Sequence, residues 1–242
     1  MIDGDFSTSV LDVPSEEERS PLAALRRFAR AKTAGRPVEK CELCSARLPA
    51  EHRHLVDLRT RRLVCCCEPC GLLFSGPQSA VYRRVPLAVE ALSDFRLSDF
   101  QWENLRIPIN LAFFYCQEEE GKENVGKENE AASVSLLPLG EGQGVRAVYP
   151  SPAGPIESLL ELEAWQAIVA DNPRLGDLQP EVEALLVNRL SGKHLYYLVP
   201  IDECYRLSGL IRLHWRGLSG GSEVWEEVAR YFQRLKEKSC SI

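Results

Sequence analysis

Cys41-Glu42-Leu43-Cys44, followed downstream by Cys65-Cys66-Cys67-Glu68-Pro69-Cys70, decides how this chain is read. Two Cys-x-x-Cys pairs offer four thiolates, the donor set that holds one tetrahedral metal ion. The two-residue gap lets a tight knuckle aim both sulfurs of a pair at one point, and Gly71 after the second pair is able to supply a left-handed turn. The 22 residues between the pairs suit a β-hairpin, with strands over His54–Leu58 and Arg62–Cys65 and a polar turn at Arg59-Thr60-Arg61. Together these features spell a zinc-ribbon layout.

Three adjacent thiols, Cys65, Cys66 and Cys67, leave a choice of ligand. Alternation along a strand puts Cys65 and Cys67 on one face and Cys66 on the other. Only Cys67 completes a knuckle with Cys70, so the assigned ligands are Cys41, Cys44, Cys67 and Cys70, with Cys65 and Cys66 as alternates to Cys67. Zinc in a closed four-thiolate site contributes folding energy and no chemistry, because no coordination position is open. Iron on the same sulfurs makes a rubredoxin-like one-electron carrier. Zinc is the expected ion and iron the alternative. A spare thiol at Cys65 or Cys66 also offers a redox switch that releases metal on oxidation. His52 and His54 share one face of an extended chain, but sulfur already fills both knuckles, so they are read as ribbon surface and not as ligands.

At 242 residues, 45% hydrophobic and 26% charged, the chain is long enough for one main domain and a small appended one. No apolar run approaches the ~18 residues of a membrane span. The start, Met1-Ile2-Asp3-Gly4-Asp5, is acidic where a secretory signal is basic, so a cytoplasmic protein is expected. Six of the nine cysteines lie between positions 41 and 70, a pattern of metal binding and not of a disulfide scaffold. The net charge of -6 is uneven, because residues 21–84 carry thirteen Lys and Arg against five Asp and Glu. That basic segment could meet nucleic acid, an acidic partner or the chain's own acidic parts. Aromatic interleaving there is thin, only Phe28, Phe74 and Tyr82, which disfavours base stacking and makes nucleic acid an unlikely partner.

Three regions are expected. Residues 1–19 form a disordered tail, and residues 20–78 hold an amphipathic helix starting at Ser20-Pro21 followed by the ribbon. Residues 79–242 form an α+β domain with a flexible loop at 117–132, where Gly121-Lys122-Glu123-Asn124 is repeated at Gly126-Lys127-Glu128-Asn129. Ile107–Cys116 reads as a strand buried on both faces, and Val145–Tyr149 as another. Tyr149–Pro155 reads as a stiff connector, followed by a helix that stops before Asn172-Pro173 and, near the end, a helix over Glu223–Lys236. Strands and helices alternate without a βαβ rhythm, which gives a mixed α+β fold with a small zinc-ribbon or rubredoxin-like module attached. Cys204 and His214 are the nearest approach to a nucleophile and base, yet no elbow or oxyanion motif accompanies them. Pro200–Arg206 is read as a polar turn with a buried cysteine, no catalytic residue is assigned, and a non-enzymatic protein is expected.

Read together, Cys41-Glu-Leu-Cys44, His52-Arg-His54-Leu-Val-Asp57, Cys65-Cys66-Cys67-Glu-Pro-Cys70 and Trp102-Glu-Asn-Leu-Arg-Ile-Pro108 resemble an uncharacterised bacterial family. Tyr149-Pro-Ser-Pro-Ala-Gly154, Val199-Pro-Ile-Asp-Glu-Cys-Tyr205 and Leu213-His-Trp-Arg-Gly217 extend the resemblance across residues 22–236. That family is encoded beside oxygen-tolerant nickel-iron uptake hydrogenases. The resemblance implies an accessory role toward a hydrogenase subunit or maturation factor, and it brings no enzymatic activity with it. A rubredoxin-like carrier and a nucleic-acid-binding ribbon using Arg26, Arg27, Arg59, Arg61 and Arg62 are the alternatives.

Overall fold

A computed structural model describes residues 38–76, 79, 81–118 and 143–239. The expected tail, the helix at Ser20-Pro21 and most of the 117–132 loop lie outside them. Among the described residues, two antiparallel sheets and five α-helices make a mixed α+β fold, and residues 39–242 form one compact unit. Among the described residues, no helix is long and apolar enough to cross a membrane.

The cysteine-bearing sheet is built on the expected hairpin. β1 (Arg53–Asp57) and β2 (Arg62–Cys66) pair antiparallel with Leu55 opposite Val64 and Val56 opposite Leu63. The turn closes on Asp57, whose carboxylate accepts from the Arg59 and Thr60 amides while Arg61 takes a φ of 54°. β3 (Tyr82–Arg84) adds a third strand on the other side of β1. Alternation splits the sheet's apolar residues. Leu55, Val64 and Cys66 gather with Cys41, Leu48 and Cys70 on one face, while Val56 on the other joins the main core.

The six-stranded sheet runs β4-β9-β8-β5-β6-β7, every pair antiparallel. Its centre is β5 (Leu111–Glu118), β8 (Glu183–Asn188) and β9 (Leu195–Pro200), with β4 (Glu90–Ala91) at one edge. Phe113, Leu186 and Val199 face one way toward α4 (Ile201–His214) and α5 (Gly221–Ser239), where Leu207, Val228 and Tyr231 cover them. Phe114, Leu185 and Leu198 face the other way, covered by Trp102 of α2 (Asp99–Asn104) and Trp165 and Ile168 of α3 (Leu162–Asp171). Burial on both faces was legible in the apolar run of β5, although the strand begins at Leu111 and not at Ile107. Arg106, at a φ of 53°, turns the chain ahead of it.

Two expectations change. Tyr149–Pro155 is a hairpin and not a connector: β6 (Gln143–Ser151) turns into β7 (Gly154–Ser158), with Pro150 opposite Pro155. Pro155 is tolerated because β7 is an edge strand, and Pro150 lies past the last β5–β6 pair, Phe113 with Val148. Pro200–Arg206 is the first turn and a half of α4, not a turn, and Tyr231 of α5 clamps it by donating its hydroxyl to the Glu203 carbonyl at 3.0 Å.

Glu181 sits where the cysteine-bearing sheet meets the six-stranded one, 5% exposed, accepting from the Glu118 amide and pairing with Arg61 at 4.0 Å. Burial raises its pKa despite the opposing pull of Arg61. A raised folded-state pKa means that the folded state holds the proton more tightly, so this group's stability contribution falls as pH rises above the unfolded value of about 4.3. Glu181→Gln is therefore expected to gain stability relative to wild type between pH 4.5 and 7, read as diverging urea midpoints; parallel midpoints would contradict it.

Candidate metal centre

Cys41 and Cys44 lie in a tight loop closed by the Lys40–Arg47 bridge, with the Cys41 amide donating to Ala46 and the Ser45 amide to Cys41. Ser45, at a φ of 63°, supplies the left-handed residue of this loop. The second pair is held differently. Cys67 caps the N-terminus of α1 (Glu68–Phe74), Pro69 pre-sets its first turn, and Cys70 points back from within that turn. Gly71 is therefore helical and not left-handed. A Cβ there would meet the Cys66 sulfur at 3.4 Å, an ordinary contact, so Gly71 packs beside Cys66 without being required by space.

The sulfurs of Cys41, Cys44, Cys67 and Cys70 all lie within 4.8 Å of one another, and those of Cys44 and Cys67 are 3.6 Å apart. Zinc–sulfur bonds of about 2.3 Å in a tetrahedron set sulfur–sulfur edges of about 3.8 Å, so the spacing fits a shared ion. Cys41 and Cys70 are buried and Cys44 is exposed, which places the cluster at the surface on one side only. Burial opposes ionisation of Cys41, yet backbone amides of Cys67, Cys44 and Leu43 aimed at its sulfur outweigh it and lower its pKa to about 6. Burial and the three neighbouring cysteines push Cys70 the other way. A divalent cation is what would allow all four to be thiolates together.

Cys66 stands apart from this group, fully buried, with its pKa pushed up to about 11 by burial and by nearby Cys41 and Cys67. Cys65 lies on the opposite face of β2, as alternation requires. The remaining described thiols, Cys116 and Cys204, are both buried. Cys204 is fully buried, and His214, ten residues further along α4, is about 15 Å away by helical rise and bonded to Glu223 at 3.0 Å. Cys116 is a core residue. A cleft of about 590 Å³ beside α5 is lined by Tyr197, Trp225, Phe232, Lys193 and Lys236 among others, none of them a cysteine, histidine or carboxylate.

The fold and this cluster define an α+β protein with a four-cysteine group near its N-terminal end that could hold a metal ion. The chain belongs to the family of unknown function DUF5947, whose model matches residues 40–127 and 132–239. No curated protein and no solved structure matches it. The interruption, residues 128–131, begins in the last two residues of the Gly-Lys-Glu-Asn doublet.

Proposed function

We propose that this protein is a cytoplasmic, non-enzymatic accessory factor for a nickel-iron hydrogenase, in which a zinc ribbon presents a metal-rigidified surface to a hydrogenase subunit or maturation factor. The observation that carries the reading is an apolar surface beside the four-cysteine group: Leu72, Leu73 and Phe74, separated from Cys70 by Gly71 alone, are 61%, 76% and 41% exposed. Contiguous exposed apolar side chains mark contact sites more often than chance surface does. The ion fixes the start of α1 through Cys67 and Cys70 and so holds this surface in place. The hydrogenase itself enters through the sequence resemblance.

Four of the eight described Lys and Arg of the basic segment are drawn into the chain's own ion pairs, which supports a protein partner over nucleic acid. Arg53 and Arg84 both close on Glu68, Arg83 on Glu118 and Arg61 on Glu181. The test is capture of hydrogenase components by the tagged full chain from a host that makes the enzyme. Leu72→Asp with Leu73→Asp is expected to abolish capture while metal content and helicity persist; undiminished capture would refute the surface.

A one-electron carrier is the second reading, favoured by the exposure of Cys44 at the edge of the cluster. Metal analysis with a visible spectrum separates the two. One colourless zinc per chain excludes the carrier, and iron that bleaches on reduction supports it.

A further inference from the structure

A second cluster of metal-binding side chains lies outside the four-cysteine group. One ring nitrogen each of His52 and His54 and the sulfur of Cys65 fall within 4.8 Å of one another. The backbone explains the convergence. His52 and His54 are two apart on extended chain and so share a face. Cys65 is the cross-strand partner of His54, and its own N–H and C=O turn outward to the Glu42 side chain and amide, at 2.8 and 2.9 Å. The two residues are therefore a non-hydrogen-bonded pair, the kind whose side chains stand closest.

Both imidazoles are oriented by their Nδ1 atoms. His52 Nδ1 lies 3.0 Å from the Pro49 carbonyl, an acceptor that can only receive a proton, and 3.5 Å from a Glu39 carboxylate oxygen. His54 Nδ1 lies 2.9 Å from the Asp202 carboxylate at the start of α4, 148 residues away in sequence. With Nδ1 donating to these acceptors, Nε2 is the ring nitrogen left for a ligand in the neutral imidazole. The His52 side chain is only 6% exposed, and its Nε2 is buried without a hydrogen-bond partner. Buried nitrogens are rarely left so, and each such atom calls for an explanation.

We propose that His52 Nε2, His54 Nε2 and the Cys65 thiolate bind a second divalent transition-metal ion, with a fourth position left to water or an exogenous ligand. Binding forms two nitrogen–metal bonds and one sulfur–metal bond and releases the Cys65 thiol proton to solvent. Two imidazoles and one thiolate suit zinc, cobalt, nickel or copper and not magnesium or calcium. The Pro49 carbonyl and the Asp202 carboxylate serve as the outer partners that orient ligating histidines. An ion held by three protein groups exchanges, whereas the four-thiolate centre is closed. This inference does not depend on the hydrogenase reading.

The test is a cobalt titration of chelated, reduced full-length protein, followed by absorbance and by metal analysis after gel filtration. Two equivalents are expected, the second adding roughly a quarter of the thiolate-to-cobalt charge-transfer intensity, one sulfur against four. His52→Gln with His54→Gln should retain one equivalent, and if that variant fails to fold, Cys65→Ala should delete the same equivalent with less disturbance. Asp202→Asn should weaken the second equivalent about ten- to a hundredfold and leave the first unchanged. A single equivalent in wild type, or two in Cys65→Ala, would overturn the proposal.

Discussion

Cys41→Ser combined with Cys44→Ser is expected to strip the four-cysteine centre of its ion and to open the cysteine-bearing sheet to protease while the rest of the chain keeps its helical signal. The reason is the size of the local core. Among the described residues, Leu48, Leu55 and Val64 are the only fully apolar side chains buried alongside Cys41, Cys66 and Cys70. A structural ion in such a setting supplies about 10 kcal/mol or more of folding free energy, which three aliphatic side chains at about 1.5–3 kcal/mol each do not replace. The six-stranded sheet and its helices have two large apolar clusters of their own. Because Val56 packs into one of them, the variant should also melt at a lower temperature than wild type. Limited proteolysis with mass mapping should show cuts between residues 40 and 75. Loss of all helical signal in one transition would mean that the sheet and the body fold only together.

Trp165→Ala is expected to destabilise the body by about 3–5 kcal/mol, the range for deleting a fully buried aromatic. Trp165 is 1% exposed and stacks on Phe114 with ring centroids 5.1 Å apart. Its indole N–H is buried without a hydrogen-bond partner, however. An unmet donor costs about 1–3 kcal/mol, so Trp165→Phe removes a penalty together with the area it gives up and should lose far less than Trp165→Ala. Urea midpoints at constant m-value measure both. Equal losses would show that the indole nitrogen is satisfied in solution, by a bound water for instance.

Much of this fold was legible because period and register agree. The hairpin between the cysteine pairs has a polar turn and matched apolar positions, so Leu55 meets Val64 and Val56 meets Leu63. The unbroken run in β5 announced burial on both faces. Tyr82-Arg83-Arg84 carried no such signal, since a short strand with two arginines pairs through its backbone alone. The prolines at 150 and 155 misled because proline argues against a central strand and tolerates an edge. Gly71 after a cysteine pair looked like a turn, yet Pro69 starts a helix through it and Ser45 takes the left-handed position. The four cysteines could be grouped from spacing. The His52, His54 and Cys65 cluster could not, although the hairpin register already set His54 against Cys65. Its decisive partner, Asp202, comes from the far end of the chain, and the buried nitrogen of His52 is visible only in three dimensions.

The prolines of the β6–β7 hairpin also bear on how the molecule keeps to itself. A sheet grows by adding strands to an open border, and an unguarded border is a template for aggregation. Here one border is β7, where Pro155 removes a donor from the row, and the other is β4, only two residues long. Neither offers a run of free amides and carbonyls for another chain to zip onto. Strand addition to the six-stranded sheet is thereby discouraged at both of its described borders, which leaves side chains and not backbone as what those borders present.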